Sequence, residues 1–247
     1  MSFSNAEDSH NHSLETLNLL NNYEEFMESI ESMVDMGCGK HGKDITWWSN
    51  AHLLDDNDNK VYYNIDCYGV DIEDKFLPQG AKNISFLNQD FEKTFSKRQF
   101  DLVWCHDAFQ YAINPIETLK NWWGLTNDSG MICIQVPTTV NIKYNRLSCS
   151  HPSYTYFNYT VDTLIHMLAV NGFDCKDGYF KEDNEWVKAI AYKSDIAPMD
   201  PRKTSWYDLV EKDLLPDSVA QSVNKYGYPK REELVLTWLQ GTRQILF

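Results

Sequence analysis

Asp35-Met36-Gly37-Cys38-Gly39-Lys40-His41-Gly42-Lys43-Asp44, "DMGCGKHGKD", follows the short apolar run "SMV". A short apolar run that breaks into clustered glycines reads as a strand entering a tight loop. The loop satisfies three patterns at once. It holds G-x-G-x-x-G, the dinucleotide fingerprint, and G-x-x-x-x-G-K followed by Asp44 where a P-loop needs Ser or Thr. It also opens D-x-G-x-G, with an acid just ahead of two glycines. The charge of the ligand separates the three.

Outward from the loop, helical and extended patterns alternate. Upstream, Ser13 caps a helix through "LETLNLLNNYEEFMESI", with Leu14, Leu17, Tyr23, Phe26 and Ile30 at helical spacing. Downstream, a helix is expected across "DITWWSNAHLL", then a polar break at "DDNDNK". "CYGVDIED" reads as a second strand ending at Asp71, and "ISFLNQD" as a third ending near Asp90. "FDLVWCH" and "MICIQVP" are apolar on both faces, as central parallel strands are. Between them "NPIETLKNWWGL" reads as a helix with Ile116, Leu119 and Trp123 inward. Thr160 caps "VDTLIHMLAVNG", which Gly172 ends. "FDCKDGYF" and "EWVKAIAYK", joined by the polar "KEDN", must run antiparallel because their connection is short. The expected class is α/β, a doubly wound Rossmann-like sheet with helices on both faces. The expected organisation is a disordered tail over residues 1–12, one domain over 13–197, and a helical extension over 198–247, in which Pro229 starts a helix through Leu234, Leu236, Trp238 and Leu239 to Gly241.

In an open α/β sheet, ligands bind beyond the carboxyl ends of the strands. A P-loop reading fails at Asp44, because that position needs a hydroxyl on magnesium. A dinucleotide reading places Asp35 near a pyrophosphate, and two such charges about 4 Å apart repel by roughly 4 kcal/mol at an effective dielectric near 20. S-adenosylmethionine reverses the sign, since its sulfonium and ammonium outweigh its carboxylate. Asp35 then attracts the ammonium, and Gly37 and Gly39 let the backbone pass close to the ligand. Asp71 at the second strand end suits two ribose hydroxyls, and Asp90 at the third suits an adenine amino group. Each acid also has an ordinary local use, as a helix cap or turn residue. It is their joint placement at three successive strand ends that points to a cofactor.

With these residues in place, the chain resembles the class I S-adenosylmethionine-dependent methyltransferases, and most closely their ubiquinone-type small-molecule branch. "VDMGCGKHG" looks like the first motif of that family, "YGVDI" the second and "NQDF" the third; "FDLVWCHDAFQYAINPIETLKNWWGLTNDSGMICIQVP" is similar to its fourth strand through its fifth. The resemblance covers about residues 32–193. It implies a seven-stranded sheet whose last strand inserts antiparallel. It also implies that Asp35, Gly37 and Gly39 line the methionine part of S-adenosyl-L-methionine, that Asp71 and Ile72 take the ribose and cover the adenine, that Asp90 and Phe91 meet the adenine from the other side, and that His106 sits near the methyl group. Three features depart from the pattern. His41 stands where a third glycine is usual, "DDNDNKVYYNID" lengthens the spacing from Asp35 to Asp71, and Phe109-Gln110-Tyr111 replaces the usual "LEH".

Methyl transfer is an in-line displacement that alignment in a dry site accelerates, and a base helps when the acceptor is a hydroxyl or a protonated amine. The candidate catalytic residues are His106, Asp107 and Tyr111. His151 and the aromatic run "PSYTYFNY" are candidates for a pocket wall. With 36 acidic against 22 basic residues, a net charge of −14 and no Lys/Arg run, the surface repels phosphate backbones. No N-P-P-Y or D-P-P-Y follows the fourth strand, and no Pro-Cys nucleophile or G-x-S-x-G is present. The expected acceptor is therefore a small molecule, with a protein side chain as the alternative, and no nucleic-acid or membrane partner. The C-terminal helices are a candidate surface for a protein partner or self-association. No metal site is expected; His10 and His12 in "EDSHNH" read as a solvated tail. The six cysteines form no C-x-x-C pair, and the polar, acidic start resembles no signal peptide, so a reduced, cytoplasmic setting is expected. Two rival readings stay open: a non-catalytic methyltransferase-like binding or assembly module, and an NAD-binding Rossmann protein.

Overall fold

In the computed structural model, the described residues are 16, 27–39, 42–54, 60–72, 83–93, 97–138, 157, 159–182 and 186–234. The tail over 1–12, most of the helix expected over 14–30, His151 with most of its aromatic run, and the helix expected through Leu236 to Gly241 lie outside them.

The strands are β1 (Ser32–Met36), β2 (His52–Leu54), β3 (Lys60–Tyr62), β4 (Asp66–Asp71), β5 (Ile84–Asn88), β6 (Phe100–His106), β7 (Thr126–Pro137), β8 (Phe173–Glu182) and β9 (Trp186–Lys193). The helices are α1 (Lys43–Ser49), α2 (Pro115–Leu125), α3 (Val161–Val170), α4 (Trp206–Glu211) and α5 (Asp217–Tyr226). Seven strands form one sheet in the order β5-β4-β1-β6-β7-β9-β8. β9 runs antiparallel between β7 and β8, and the pairings among β5, β4, β1, β6 and β7 are parallel. This is the inserted antiparallel strand that the resemblance implies. Strand order reverses between β1 and β6, which puts the glycine loop at the switch point.

The sheet is held in register at its amino end by Asp101. One carboxylate oxygen accepts from Ser32 N at 2.8 Å, Ser32 Oγ at 2.9 Å and Glu31 N at 3.1 Å, while the other accepts from Asn127 Nδ2 at 2.6 Å. Both faces are packed. On one, Met33, Ile45, Trp48, Leu102 and Trp104 form a core with α1; on the other, Val34, Val103, Leu119, Trp122, Leu164 and Phe173 pack with α2 and α3. Leu209, Leu214, Val219 and Val223 from the region of α4 and α5 join this second core.

Four local expectations change. The helix after the loop stops at Ser49, because Asn50 turns its side-chain amide onto Thr46 O at 2.7 Å and so closes the last turn. His52–Leu54 then pairs antiparallel with Lys60–Tyr62, so the extra length between Asp35 and Asp71 builds a hairpin. β5 ends at Asn88, two residues before Asp90. In α2 it is Trp122, three residues beyond Leu119, that is fully buried; Trp123 lies on the flank of that stripe with the Lys193 ammonium 4.5 Å from its ring centre.

α3 begins and ends as its sequence predicts. Thr160 accepts from Thr163 N, and Gly172 closes the helix at φ +80°. A Cβ on Gly172 would lie 2.1 Å from Ile196 O. Gly172→Ala is therefore expected to destabilise the fold by about 2–4 kcal/mol, from left-handed strain plus a backbone clash. Urea unfolding checks this, and an unchanged midpoint would show that the Ile196 segment moves aside without cost.

Candidate active site

The glycine loop is strapped to the end of β4. Val70 O accepts from Gly37 N at 2.8 Å and from Cys38 N at 3.2 Å. Gly37 holds φ +79°, and a Cβ there would lie 2.3 Å from the Cβ of Ala108. Gly39 holds φ +61° and donates its N–H to Asp71 Oδ2 at 2.9 Å. Among the described residues nothing stands within 4 Å of where a Gly39 Cβ would point, so on their side the loop is tight at Gly37 and open at Gly39. Gly42 precedes α1, and Thr46 N donates to its carbonyl.

The three acids take different environments. Asp35 is buried in β1, on the sheet face that carries Trp104 and α1. Asp71 ends β4 half-buried, and the next residue, Ile72, is 70 % exposed. An apolar side chain left that open beside a carboxylate suits a ligand with a flat apolar ring and hydroxyls. Asp90 sits in the turn after β5, where Oδ1 accepts from Glu92 N at 3.0 Å and Oδ2 lies 3.5 Å from the Lys93 ammonium. Phe91 approaches the loop, its ring 3.8 Å from where a Gly37 Cβ would stand, and its carbonyl accepts from Trp122 Nε1 at 2.9 Å. Glu92, which sequence reasoning passed over, pins this turn to α2. Its carboxylate accepts from Ile113 N, Asn114 N and Thr118 Oγ1 at 2.9, 3.0 and 3.2 Å.

His106 ends β6, and its side chain is buried, 7 % exposed. Trp186 is the reason: its ring centre lies 5.9 Å from that of His106. His106 Nδ1 lies 3.0 Å from Asp44 Oδ2, and the same oxygen accepts from Trp104 Nε1 at 3.0 Å. Asp44 is the residue that spoils the P-loop pattern. Its work here is to hold a histidine and a tryptophan that follow it by about sixty positions. Asp107 turns away at φ +52°, donates its N–H to Gln135 O at 2.9 Å, and accepts from Gln110 Nε2 at 2.6 Å. Tyr111 ends the short 3-10 turn Phe109–Tyr111, half-buried. The structure thus gathers Asp35, Gly37, Gly39, Asp71, Ile72, Phe91 and His106 around the carboxyl ends of β1, β4 and β6, with Asp90 in the adjoining turn.

Cysteine nucleophiles do not suit this region. Burial, with help from nearby carboxylates, pushes the Cys67 and Cys105 thiols well above their ordinary value, and burial does the same to Cys133. They stay protonated at neutral pH and serve as core residues.

A sheet with an inserted antiparallel strand, a glycine loop at its switch point and acids at or just beyond successive strand ends has the layout of a nucleoside-ligand site. The open side of Gly39, the buried Asp35 and the exposed Ile72 beside Asp71 fit the cationic S-adenosylmethionine. Residues 34–134 match the family described as Methyltransferase domain. Over those residues the chain is similar to the class I S-adenosylmethionine-dependent methyltransferases. It is 25 % identical over 123 residues to malonyl-[acyl-carrier protein] O-methyltransferase 2 of Coxiella burnetii; the match spans 47 % of this chain and 47 % of that protein, so about half the length of the curated relative. Among solved structures, 1,6-didemethyltoxoflavin-N1-methyltransferase of Burkholderia thailandensis, with bound 1,6-didemethyltoxoflavin and S-adenosylhomocysteine, shares the fold. Its TM-score is 0.52 at 14 % identity, over 72 % of this chain and 76 % of that one. An O-methyltransferase family protein of the same organism aligns with TM-score 0.50 at 12 % identity, over 74 % of this chain and 56 % of that one. Among the described residues, no helix is long and apolar enough to cross a membrane.

Proposed function

We propose that the protein transfers a methyl group from S-adenosylmethionine to an oxygen or nitrogen of a small-molecule acceptor. The observation that carries this reading is the closure of the glycine loop onto Asp71 beside exposed Ile72, above buried Asp35. Gly37 and Gly39 would pass along the methionine part, with Asp35 drawing its ammonium. Asp71 and Ile72 would take the ribose and cover one side of the adenine, and Asp90 and Phe91 the other. Bound S-adenosylmethionine supplies an electrophilic methyl group on a sulfonium. The chain's own part is to align the acceptor, exclude water and accept a proton, with His106 as the base and Asp107 and Tyr111 beside it. The curated relative, named as an O-methyltransferase of malonyl-[acyl-carrier protein], supports oxygen as the acceptor atom.

A second reading rests on Gln110 and Tyr111, which stand where the family has an acid and a histidine. A binding or assembly module that has lost catalysis would retain the loop and lose those groups. Its partner would meet α4 and the end of α5, where Tyr207 on α4 and Tyr228 just past α5 are 49 % and 56 % exposed. The NAD reading is disfavoured by Asp35, a carboxylate buried directly beneath the loop.

Thermal unfolding with added ligand tests the cofactor assignment. S-adenosylmethionine or S-adenosylhomocysteine at a hundred times its dissociation constant is expected to add about 2.7 kcal/mol of stability. Stabilisation by NAD, with none from either sulfur ligand, would overturn the assignment.

A further inference from the structure

We propose, on the reading that the site transfers methyl groups, that Asp44, His106 and Gln135 form a subsite for a hydroxyl-bearing acceptor. His106 and Gln135 are register partners on β6 and β7, so their side chains leave the same face of the sheet on strands about 4.8 Å apart. Asp44, at the start of α1, packs on that face. All three side chains are buried.

Their hydrogen-bond inventory is incomplete in a specific way. An ionised carboxylate only accepts, so the 3.0 Å contact to Asp44 Oδ2 places the proton of His106 on Nδ1 and leaves a lone pair on Nε2. That Nε2 is buried and has no partner among the described residues. Gln135 accepts on Oε1 from Thr16 Oγ1 at 3.3 Å, while its buried Nε2 also has no partner there. One acceptor and one donor therefore belong to register partners on one face of the sheet, each unmet, and native interiors rarely leave such groups without a role.

A hydroxyl answers both. Its proton goes to His106 Nε2, and one oxygen lone pair takes the Gln135 N–H. A second lone pair remains to attack the methyl group. A neutral amine has one lone pair and cannot both accept from Gln135 and attack; an ammonium has none; an ether has no proton to give. As the new C–O bond forms and the methyl–sulfur bond breaks with its pair left on sulfur, the hydroxyl proton passes to Nε2. Positive charge leaves the sulfonium and appears on the imidazole, opposite Asp44. Asp44 is then a positioning residue that fixes the tautomer, and Gln135 selects oxygen. The Trp186 ring beside His106 gives the subsite an aromatic wall, which suits a phenolic ring.

The test uses the full chain labelled with 15N-histidine, saturated with S-adenosylhomocysteine, and phenol, anisole and benzylammonium as probes. Long-range 1H–15N correlation is expected to show His106 as the Nδ1–H tautomer. Phenol at millimolar concentration is expected to move its Nε2 resonance, while anisole and benzylammonium leave it in place. Asp44→Asn is expected to mix the tautomers. Gln135→Met, close in volume, is expected to weaken phenol about 3–10-fold, the loss of one hydrogen bond. An Nε2–H tautomer in the wild type, no phenol response, or equal phenol affinity in Gln135→Met would overturn the subsite. The wild-type tautomer needs no variant, so a substitution that fails to fold leaves that arm decisive. Failure of S-adenosylhomocysteine to bind in calorimetry, with tautomer and phenol response intact in the unliganded protein, would strike the methyl-transfer reading and leave the hydroxyl subsite standing.

Discussion

Gly37→Ala is expected to lower affinity for S-adenosylhomocysteine at least about 100-fold and to destabilise the protein by about 2–4 kcal/mol. Two costs add. Gly37 sits at φ +79°, where an L-residue loses roughly 1–2 kcal/mol. Its new Cβ would also stand 2.3 Å from the Ala108 Cβ, against an optimal carbon–carbon separation of about 3.5–4.0 Å. A Cβ has no torsion by which to move away, and Ala108 follows Asp107, itself at φ +52° and tied to Gln135 O. The loop must lift instead, breaking the bonds from Gly37 N and Cys38 N to Val70 O and carrying Gly39 off Asp71. Gly39→Ala is the internal control. It carries a similar strain, with φ +61°, but no atom of the described residues lies within 4 Å of its Cβ. Without ligand it is expected to lose only about 1–2 kcal/mol. Calorimetric titration and urea unfolding of the two variants check the pair. Equal stability losses would show that the Ala108 contact does not constrain the loop.

The loop was legible in the sequence because tight turns need glycine and strand ends are marked by where apolar runs stop. The middles of β6 and β7 were legible for the same reason: over residues 102–105 and 131–134 they are buried on both faces and apolar at every position, and that pattern has few other causes. The β2–β3 hairpin was not. His52–Leu54 continues the apolar content of α1, and Lys60–Tyr62 is exposed along its whole length, so neither carries the alternation of a half-buried strand. The Asp44–Trp104–His106 contact was hidden for a different reason. It joins residues about sixty positions apart, and only the packing of α1 on β6 brings them together. One signal was available: Gln135 is the single polar residue in "MICIQVP", and a polar residue in a strand buried on both faces must answer to something. The departure from "LEH" at Gln110 and Tyr111 was visible, but the buried contact between Asp44 of α1 and His106 of β6 was not.

His106→Asn is expected to lower turnover of a hydroxyl acceptor by about 10²–10⁴-fold while leaving cofactor affinity nearly unchanged. Asparagine is the informative choice. Its amide N–H₂ can take the place of Nδ1 and keep a donor on Asp44 Oδ2, whereas nothing in it reaches as far as Nε2. Alanine would remove both nitrogens and leave the buried Asp44 carboxylate with a donor fewer, a loss of about 1.5–3 kcal/mol that would confuse stability with chemistry. The contrast with Asp44→Asn then separates base from positioner: if Asp44 acts through His106, its loss slows turnover less than loss of His106 does, and the double variant is no slower than His106→Asn alone. If catalysis were alignment only, His106→Asn would cost little, and variants of Tyr111 would cost more. If the protein were a module without catalysis, the wild type would methylate nothing in a broad panel of hydroxyl and amine metabolites while still binding S-adenosylhomocysteine. The assignment of His106 as the base fails should His106→Asn turn over a confirmed acceptor at the wild-type rate across neutral pH, because no other route would then be needed for the acceptor's proton than solvent itself.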